Sequence, residues 1–226
     1  VNIRVTDGPA ALWRRPISVD RVKGAKIKLF YEVIGAGTQV LSKRNPGEFL
    51  DIIGPLGNGF DYRGSAKAKE GKNILIAGGM GVAPLVFLAQ RLLRPSGARD
   101  DTIVLIGAKT KEQILCAQEF KTLGCGVKLA TDDGSVGFRG KVTDLLQQQL
   151  SAIGYRPSAI YACGPHPMLK AVSEIARENK INAQLSLEEH MACGLGACLG
   201  CAVATKAGYK TVCKDGPVFS SEELIW

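Results

Sequence analysis

The sequence of 226 residues predicts a β plus α/β fold in three parts. Residues 1–68 are predicted to form a small antiparallel barrel, residues 69–187 a doubly wound parallel sheet, and residues 188–226 a short tail organised by metal ligands. Three observations lead to this prediction: short apolar runs separated by turn residues, a long alternation of apolar strands with amphipathic helices, and a cysteine-rich end without a long periodic segment.

The first part contains several short apolar runs, the pattern typical of strands in a small barrel or sandwich. The runs are Ile17–Val22, Ile27–Ile34 and Phe49–Ile53. Turn residues stand between them at Gly35–Gly37 and Asn45–Gly47.

The second part alternates between strand and helix patterns. The predicted strands are Asn73–Ala77, Thr102–Gly107, Val127–Thr131, Ala159–Ala162 and Gln184–Leu187. The predicted helices are Pro84–Leu93, Glu112–Leu123, Lys141–Leu150 and Pro167–Asn179. Apolar strands that alternate with amphipathic helices indicate a parallel sheet covered on both faces. Right-handed crossovers then produce a doubly wound sheet.

A glycine-rich loop follows the first of these strands. It contains Gly78, Gly79, Gly81 and Val82 and leads to Pro84, which suits the first position of a helix. Glycine backbone beside a helix N-terminus attracts a pyrophosphate, so the loop is a candidate dinucleotide site. Pro84 stands where the full dinucleotide fingerprint has its third glycine, and a turn that serves only helix–sheet packing stays open as the alternative.

A second loop, Cys163-Gly164-Pro165, follows another predicted strand on the same edge of the sheet. Ligands bind at the carboxyl ends of such strands, so we expect Cys163 to face the same crevice. A buried thiol that serves only packing is the alternative. Lys109 and Lys111 follow the second strand, where an acidic residue would hold a ribose, so these residues leave NAD and NADP both open.

Four cysteines of the tail have a distinctive spacing. Cys193, Cys198 and Cys201 follow the pattern Cys-x4-Cys-x2-Cys, and Cys213 comes after eleven further residues. This is the plant-type arrangement of thiolates that hold a [2Fe–2S] cluster. Zinc is the alternative, although structural zinc usually takes two short Cys pairs. The chain has 7 cysteines, an odd count for a disulfide framework.

Charge and hydropathy exclude other classes. The formal net charge is +8, but Lys and Arg are scattered without a basic run, so no nucleic acid partner is predicted. Anionic cofactors account for the excess of positive charge. The most apolar stretch, residues 74–89, is too short and too broken by glycine and proline to span a membrane. With no signal-peptide pattern, the sequence predicts a cytoplasmic protein without a membrane partner.

Five motifs occur in an order shared with a known family. They are RRPIS at 14–18, GPLGNGF at 54–60, AGGMGVAPL at 77–85, YACGPHPM at 161–168 and the cysteine loop CGLGACLGC at 193–201. In this order the chain resembles flavin reductases of the ferredoxin–NADP reductase superfamily. With VCKDGPVF at 212–219 it is similar to the electron transfer subunits of type B dihydroorotate dehydrogenase. The first barrel strand of that family is missing from the sequence.

The resemblance implies FAD on the barrel, a nicotinamide nucleotide on the sheet and a cluster on the tail. The FAD contacts that it implies are Arg15, Pro16, Ile17, Ser18, Tyr31, Glu32, Val33, Gly37 and Thr38. The nucleotide contacts are Gly78, Gly79, Gly81, Val82, Pro84, Cys163, Gly164 and Pro165. The cluster ligands are Cys193, Cys198, Cys201 and Cys213. No catalytic acid or base is expected, although Cys163 would lie near nicotinamide and flavin.

The resemblance also implies an oxidoreductase role in pyrimidine biosynthesis. Electrons would pass from the FMN of a dihydroorotate dehydrogenase catalytic subunit through the [2Fe–2S] cluster and FAD to NAD⁺, in a heterotetramer of two plus two. One alternative is a subunit of a transhydrogenase-like or sulfhydrogenase-like flavin and iron–sulfur complex. Another is a zinc-stabilised binding subunit without redox activity.

Apolar residues around the cysteines predict an interface with the partner. Three of them flank the ligands: Met191, Leu195 and Leu199. The others form the end of the chain: Val218, Phe219, Leu224, Ile225 and Trp226. The alternative is that this end folds back onto its own domain.

Overall fold

The computed structural model describes residues 1–6, 8, 12–62, 72–92, 102–152, 154 and 156–226. The predicted domain boundary between residues 68 and 69 lies outside the described residues. None of the described helices is long and apolar enough to cross a membrane.

The N-terminal region consists of two small antiparallel sheets and a short helix. The strands are β1 (Asn2–Arg4), β2 (Arg15–Pro16), β3 (Val19–Lys23), β4 (Lys26–Leu29) and β5 (Asp51–Ile53), and the helix is α1 (Ala36–Ser42). One sheet has the order β2-β1-β5, and β3 and β4 form a separate hairpin. Ile3, Val5, Ile17 and Leu41 form a small buried core.

Two local predictions for this region are wrong. The apolar run predicted as a strand up to Ile34 leaves the hairpin at Leu29. Gly35–Gly37, predicted as a turn between strands, is the N-terminus of α1. The cause is local, because the Thr38 hydroxyl accepts the Ile34 and Gly35 N–H groups and donates to the Gly35 carbonyl, which closes the first helical turn.

The central sheet has seven strands among the described residues, in the order β14-β11-β10-β6-β7-β8-β9. Its strands are β6 (Asn73–Gly78), β7 (Thr102–Ala108), β8 (Gly126–Thr131), β9 (Phe138–Arg139), β10 (Ala159–Cys163), β11 (Ala183–Ser186) and β14 (Val218–Ser220). Every pairing is parallel except that of β11 with β14. The chain runs outward from β6 through β7 and β8, then returns to build β10 and β11 on the other side. The strand order therefore reverses between β6 and β10.

Helices cover both faces of this sheet, which confirms the doubly wound arrangement. They are α2 (Val82–Leu92), α3 (Ala117–Thr122), α4 (Val142–Ala152) and α5 (His166–Glu178). Residues of α2 and α3 pack on one face with Leu75 and Val104. Residues of α4 and α5 pack on the other face with Ile74 and Leu105. This alternation follows from the two-residue period of a strand.

The helix predicted over Glu112–Leu123 is broken in the structure. A 3₁₀ turn spans Lys111–Gln113, and α3 begins only at Ala117. Cys116 between them has φ of 55°, a left-handed conformation that an α-helix cannot contain. The helical periodicity of this stretch therefore overestimates the length of the helix.

The cysteine-containing segment contains a hairpin and then returns to the central sheet. The hairpin consists of β12 (Ala202–Thr205) and β13 (Gly208–Thr211), with its turn at Lys206 and Ala207. β14 then adds antiparallel to β11, with Phe219 opposite Leu185. Phe219 is 2% exposed and belongs to the same core as Leu185.

The end of the chain is therefore part of the fold rather than a free apolar surface. Leu224 is buried in the core and Trp226 packs partly against it. The rings of Trp226 and His166 meet edge to face at 4.9 Å. The prediction that this end forms the partner interface is wrong, because its larger side chains fill the chain's own core; Ile225 alone of the large apolar side chains here is strongly exposed.

We expect Phe219→Ala to lower the free energy of unfolding by about 3–5 kcal/mol, because it leaves a cavity in the core that joins the tail to the sheet. Chemical denaturation followed by circular dichroism measures the change. Ile225→Ala is the matched control, since its side chain is 57% exposed and its loss should change the free energy by less than about 0.5 kcal/mol. Equal effects of both changes would contradict the packing described.

Candidate cofactor-binding sites

The two glycine-containing loops meet at the point where the strand order reverses. A side chain on Gly81 would overlap the backbone of Cys163, and one on Gly78 would come within 2.8 Å of Pro165 Cδ. A side chain on Gly164 would come within 2.9 Å of the Gly78 nitrogen. These glycines are required because the loops after β6 and β10 pack backbone against backbone. The glycines therefore do have a packing role, which is the close approach of the two loops to each other.

Gly79 differs from its neighbours and is the open part of the loop. Its φ is +53°, its residue is exposed, and a side chain there would meet nothing within 4 Å. It begins a 3₁₀ turn that leads directly into α2. The carboxyl edge of the sheet is therefore open beside Gly79, just before α2, which is the position that suits a pyrophosphate. The Val82 N–H at the start of α2 is already bonded within the 3₁₀ turn.

Two of the residues predicted to contact the nucleotide, Val82 and Pro84, lie in α2. Val82 is the first residue of the helix and is fully buried against the sheet. Pro84 is its third residue, so the predicted first position is wrong by two. The missing N–H of proline costs nothing at either position, because the first N–H groups of a helix have no partner within it.

Cys163 ends β10, is buried in the core of the sheet and faces an acidic residue. Its thiol is 1% exposed and donates a long hydrogen bond of 3.9 Å to Glu188 Oε1. Burial, reinforced by the nearby carboxylate, raises the pKa of Cys163 far above its ordinary value. Burial also raises the pKa of Glu188. Cys163 is therefore a neutral thiol that can position a ligand but is a poor nucleophile.

The loops after β7 and β8 are tied together on the same edge of the sheet. The Lys111 N–H donates to the Ser135 hydroxyl at 2.8 Å, and that hydroxyl donates to the Asp133 carboxylate at 2.6 Å. The hydrogen bonds from Ser135 hold the pKa of Asp133 below its usual range. Lys109, Lys111 and Asp133 are all exposed on this edge of the sheet.

The N-terminal site has one well-defined contact, between Arg15 and Gly37. A side chain on Gly37 would overlap the Arg15 guanidinium, so glycine allows this side chain to lie across the start of α1. Arg15 Nη1 also donates to the Trp13 carbonyl. Ser18 beyond it is exposed. A guanidinium and a hydroxyl are the groups that suit a phosphate.

The remaining residues predicted to contact FAD differ in their surroundings. Ile17 lies in the small core and both of its backbone groups pair with Val1, so it supports the strand from inside. Pro16, Glu32 and Val33 are exposed, and Tyr31 is half-buried. The Thr38 hydroxyl is committed to the first turn of α1, as described above.

Backbone N–H groups surround the sulfur atoms of the cysteine loop. Leu195 N–H donates to Cys193 Sγ at 3.3 Å, Gly196 N–H to Cys213 Sγ at 3.1 Å, and Cys213 N–H to Cys201 Sγ at 3.4 Å. The hydrogen bond from Leu195 and its neighbours lowers the pKa of Cys193 to about 6, which favours the thiolate. Burial raises the pKa of Cys213 to about 11. Donors aimed at sulfur are the typical surroundings of an iron–sulfur cluster.

The four thiols interact chiefly as two pairs, Cys193 with Cys198 and Cys201 with Cys213, and Cys193 also helps to raise the pKa of Cys213. The first pair is near the surface and the second is buried. Nowhere in the described chain do three or more His, Cys, Asp or Glu side chains already surround one point at metal-ion spacing. Two pairs fit the two irons of a [2Fe–2S] cluster, whereas a structural zinc ion needs four ligands around a single centre.

The GPLGNGF loop holds the segment that follows Cys213. Asn58 Nδ2 donates to the Lys214 and Asp215 carbonyls at 3.2 and 3.0 Å, and the Asn58 N–H donates to the Gly216 carbonyl at 2.5 Å. Val218 N–H returns a bond to the Asn58 carbonyl at 3.3 Å. The N-terminal region and the cysteine segment are therefore joined through Asn58, whose side chain and backbone bond four of the five residues that follow the last cysteine.

Sequence reasoning missed two residues of these sites. Glu188 follows β11 on the same sheet edge as the two glycine loops, so the rule that ligands bind at carboxyl ends of strands could have found it. Asn58 lies in a quoted motif, but its bonds to residues about 157 positions away leave no local signal.

Comparisons with known proteins agree with this arrangement. Residues 188–225 match the family described as iron–sulfur cluster binding domain of dihydroorotate dehydrogenase B, and residues 75–174 match the oxidoreductase NAD-binding domain. The electron transfer subunit of dihydroorotate dehydrogenase B (NAD(+)) from Desulforamulus reducens is 39% identical over 233 residues, covering 100% of this chain and 85% of the relative. The corresponding subunit from Bacillus mycoides is 40% identical, with the same coverage.

Solved structures show the same fold. The NADH-dependent reduced ferredoxin–NADP oxidoreductase of flavin-based electron bifurcation has a TM-score of 0.83 and 29% identity, and the match covers 100% of this chain and 78% of that one. A cytochrome P450 reductase from Amycolatopsis has a TM-score of 0.64 at 20% identity, covering 80% of this chain and 56% of that one, which supports the fold alone.

Fold and sites together define an NAD-linked oxidoreductase chain that carries an iron–sulfur domain and transfers electrons. The chain belongs to the family of electron transfer subunits of dihydroorotate dehydrogenase B (NAD(+)). The family resemblance stated from the sequence motifs is thereby confirmed, and with it the cofactor set of [2Fe–2S], NAD and flavin.

We expect Gly81→Ala to lower kcat/KM for NADH by about tenfold or more, because its methyl group would push the Cys163 backbone away and displace the nucleotide. NADH-dependent reduction of ferricyanide measures this step without the cluster or partner. Gly59→Ala is the control, since a side chain there meets nothing within 4 Å and the backbone φ is unrestricted. An unchanged kcat/KM in Gly81→Ala would contradict the close packing of the loops.

Proposed function

We propose that this chain passes electrons between the FMN of a dihydroorotate dehydrogenase catalytic subunit and NAD⁺, as part of pyrimidine biosynthesis. Membership of the family supports the activity. The observation that carries the proposal is that all three candidate sites meet in one chain: the cysteine segment is bonded both to the N-terminal region through Asn58 and to the nucleotide sheet through β14.

We assign the three parts as residues 1–68 for FAD, 69–187 for NAD and 188–226 for the cluster. When bound, FAD exchanges electron pairs with nicotinamide and single electrons with a [2Fe–2S] cluster, which is why both accompany it. The chain's own residues bind and orient these groups, and none of the described side chains is proposed as a general acid or base.

Two sites on the chain are proposed to bind the phosphate groups of the cofactors. Arg15 lies across the start of α1, where Gly37 leaves room for its guanidinium, and Ser18 of the same motif adds an exposed hydroxyl. The open backbone at Gly79 lies just before α2 and the positive end of its helix dipole. Cys163 and Glu188 lie beside the second site and would orient a nicotinamide ring. Tyr31, Glu32 and Val33 are proposed to line the flavin.

Cluster binding would use Cys193 and Cys198 for one iron and Cys201 and Cys213 for the other. The observed pairing of the thiols and the N–H groups aimed at their sulfur atoms support this division. A zinc-stabilised, non-redox subunit is disfavoured by the same pairing and by the family.

The partner surface is proposed to be the cysteine loop itself. Leu195 and Leu199 are 57% and 65% exposed, and Cys198 beside them is exposed too. Apolar side chains around a surface thiol pair fit a protein partner that approaches the cluster closely. We propose an FMN-containing catalytic subunit in a heterotetramer of two plus two. A cytoplasmic location is proposed because none of the seven cysteines, all of which the structure describes, forms a disulfide, as is usual in a reducing compartment.

A second function has one observation in its favour. The structure of the NADH-dependent reduced ferredoxin–NADP oxidoreductase matches the whole chain at 29% identity. A subunit of another flavin and iron–sulfur complex, transhydrogenase-like or sulfhydrogenase-like, would use the same three sites. The identity of the co-purifying partner separates the two: an FMN-containing dihydroorotate dehydrogenase supports the first function, and a larger iron–sulfur flavoprotein supports the second.

We expect Leu195→Glu to reduce dihydroorotate-dependent NADH formation by the co-expressed complex at least about tenfold, because a desolvated charge at an interface costs several kcal/mol. Size-exclusion chromatography should show the subunits apart, with NADH–ferricyanide activity retained. Ile225→Glu is the matched control, since Ile225 has the same 57% exposure but lies at the chain end. If Ile225→Glu dissociated the complex and Leu195→Glu did not, the interface would lie at the chain end instead. If the wild-type complex formed no NADH from dihydroorotate, the proposed function would be refuted.

Arg15→Ala should weaken FAD binding about tenfold, because it removes a charge-assisted contact with phosphate. Fluorescence quenching of FAD added to the flavin-stripped chain measures the Kd. Arg14→Ala is the control: Arg14 bonds the Asp51 carboxylate at 2.5 Å and is committed to β5, so its loss should change the Kd less than about threefold. The reverse order of effects would assign the phosphate to Arg14.

A further inference from the structure

Asn2 has a buried amide without any partner among the described residues. The residue lies in β1 and is 1% exposed, and neither Nδ2 nor Oδ1 has a hydrogen bond. A buried polar group left without a partner costs about 1–3 kcal/mol. Native proteins keep such groups rare, so each calls for a physical reason. Packing alone does not explain an amide here, because leucine has nearly the same shape without the penalty.

The amide is aimed at the cysteine loop. A side chain on Gly194 would overlap Asn2 Nδ2, so this nitrogen lies directly against the Gly194 backbone. Gly194 follows Cys193, and the next residue, Leu195, donates its N–H to Cys193 Sγ at 3.3 Å. Gly194 has φ of +70°, which turns the loop tightly at this point. Asn2 therefore contacts the cysteine loop directly after Cys193, the first of the predicted cluster ligands.

The other neighbours of Asn2 belong to the flavin side. In the three-stranded sheet Asn2 lies opposite Pro16 of the RRPIS motif in β2 and opposite Ile53 in β5. Its backbone carbonyl accepts a long bond of 3.5 Å from Arg14. Asn2 thus stands one strand away from the candidate FAD contacts and in van der Waals contact with the cluster loop.

We infer that Asn2 is a positioning residue whose Nδ2 donates a hydrogen bond to a sulfur atom of the bound cluster. The inference rests on the proposed function, because it needs the cluster. The acceptor would be an inorganic sulfide of the cluster, which carries negative charge, because Nδ2 makes no hydrogen bond to any cysteine sulfur of the described chain. A cluster has no hydrogen-bond donor that could pair with Oδ1, so the inference concerns Nδ2 alone.

Such a bond would affect the reduction potential more than the presence of the cluster. Adding an electron makes the sulfur atoms more negative, and an N–H donor stabilises the reduced state more than the oxidised one. Four cysteines still hold the irons when the amide is lost. The donor would therefore raise the reduction potential of the cluster.

We expect Asn2→Leu to lower the equilibrium constant for cluster reduction about tenfold, which for one electron is a potential about 59 mV more negative. A redox titration of the co-expressed complex, followed by electron spin resonance of the reduced cluster, measures this. Iron content and the FAD potential should stay as in the wild type. Asn73→Leu is the matched control: Asn73 is also buried with an unpaired Oδ1, but it begins β6 at the opposite end of the strand from the glycine loop, so the potential should not move.

An unchanged cluster potential in folded, iron-replete Asn2→Leu would overturn the inference and leave the proposed function intact. A wild-type complex without a cluster signal would instead refute the proposed function. A second measurement decides the case if Asn2→Leu does not fold. Wild-type protein labelled with ¹⁵N-asparagine should show a weak ¹⁵N coupling to the reduced cluster that persists in Asn58→Ala, and the absence of that coupling would overturn the inference.

Discussion

The antiparallel addition of β14 to β11 is the interaction on which the arrangement of sites depends. The segment after residue 187 is too short to bury a core of its own, so its side chains complete the core of the nucleotide-binding sheet through Phe219 and Leu224. Leu187 N–H also bonds the Pro217 carbonyl, which extends the pairing beyond β14. The cysteine loop is thereby fixed relative to the edge where β6, β10 and β11 end.

A second constraint comes from the N-terminal region. Asn58 bonds the backbone just after Cys213, and Asn2 presses on the backbone just after Cys193. The backbone beside the first and the last predicted ligand is therefore held by residues of the N-terminal region. Transfer of electrons between bound groups needs fixed distances, and these contacts help to fix them. The buried pair, Cys201 and Cys213, faces this interior, whereas Cys198 stays at the surface for a partner.

Most of the architecture could be predicted from the sequence, because the hydrophobic periodicity that indicates strands and helices is a local property of the chain. Five of the six parallel strands in the described sheet are predicted within one residue at each end, and only the two-residue β9 is missed. The spacing of the cysteines predicts an iron–sulfur domain, which the matching family over residues 188–225 confirms. The failures have physical causes: the left-handed Cys116 broke a helix, and burial of Phe219 depends on a sheet edge that no local pattern reveals. The roles of Asn2 and Asn58 could not be predicted at all, since each depends on contacts with residues far along the chain.

The central claim is that one chain connects nicotinamide to an iron–sulfur cluster through a flavin. The most direct test is electron spin resonance of the anaerobically purified chain, loaded with FAD, before and after addition of NADH. The account predicts about two irons and two sulfides per chain and a reduced [2Fe–2S] signal that appears on mixing with NADH. A colourless chain that contains zinc, or a flavin that is bleached by NADH while an intact cluster stays oxidised, would contradict it.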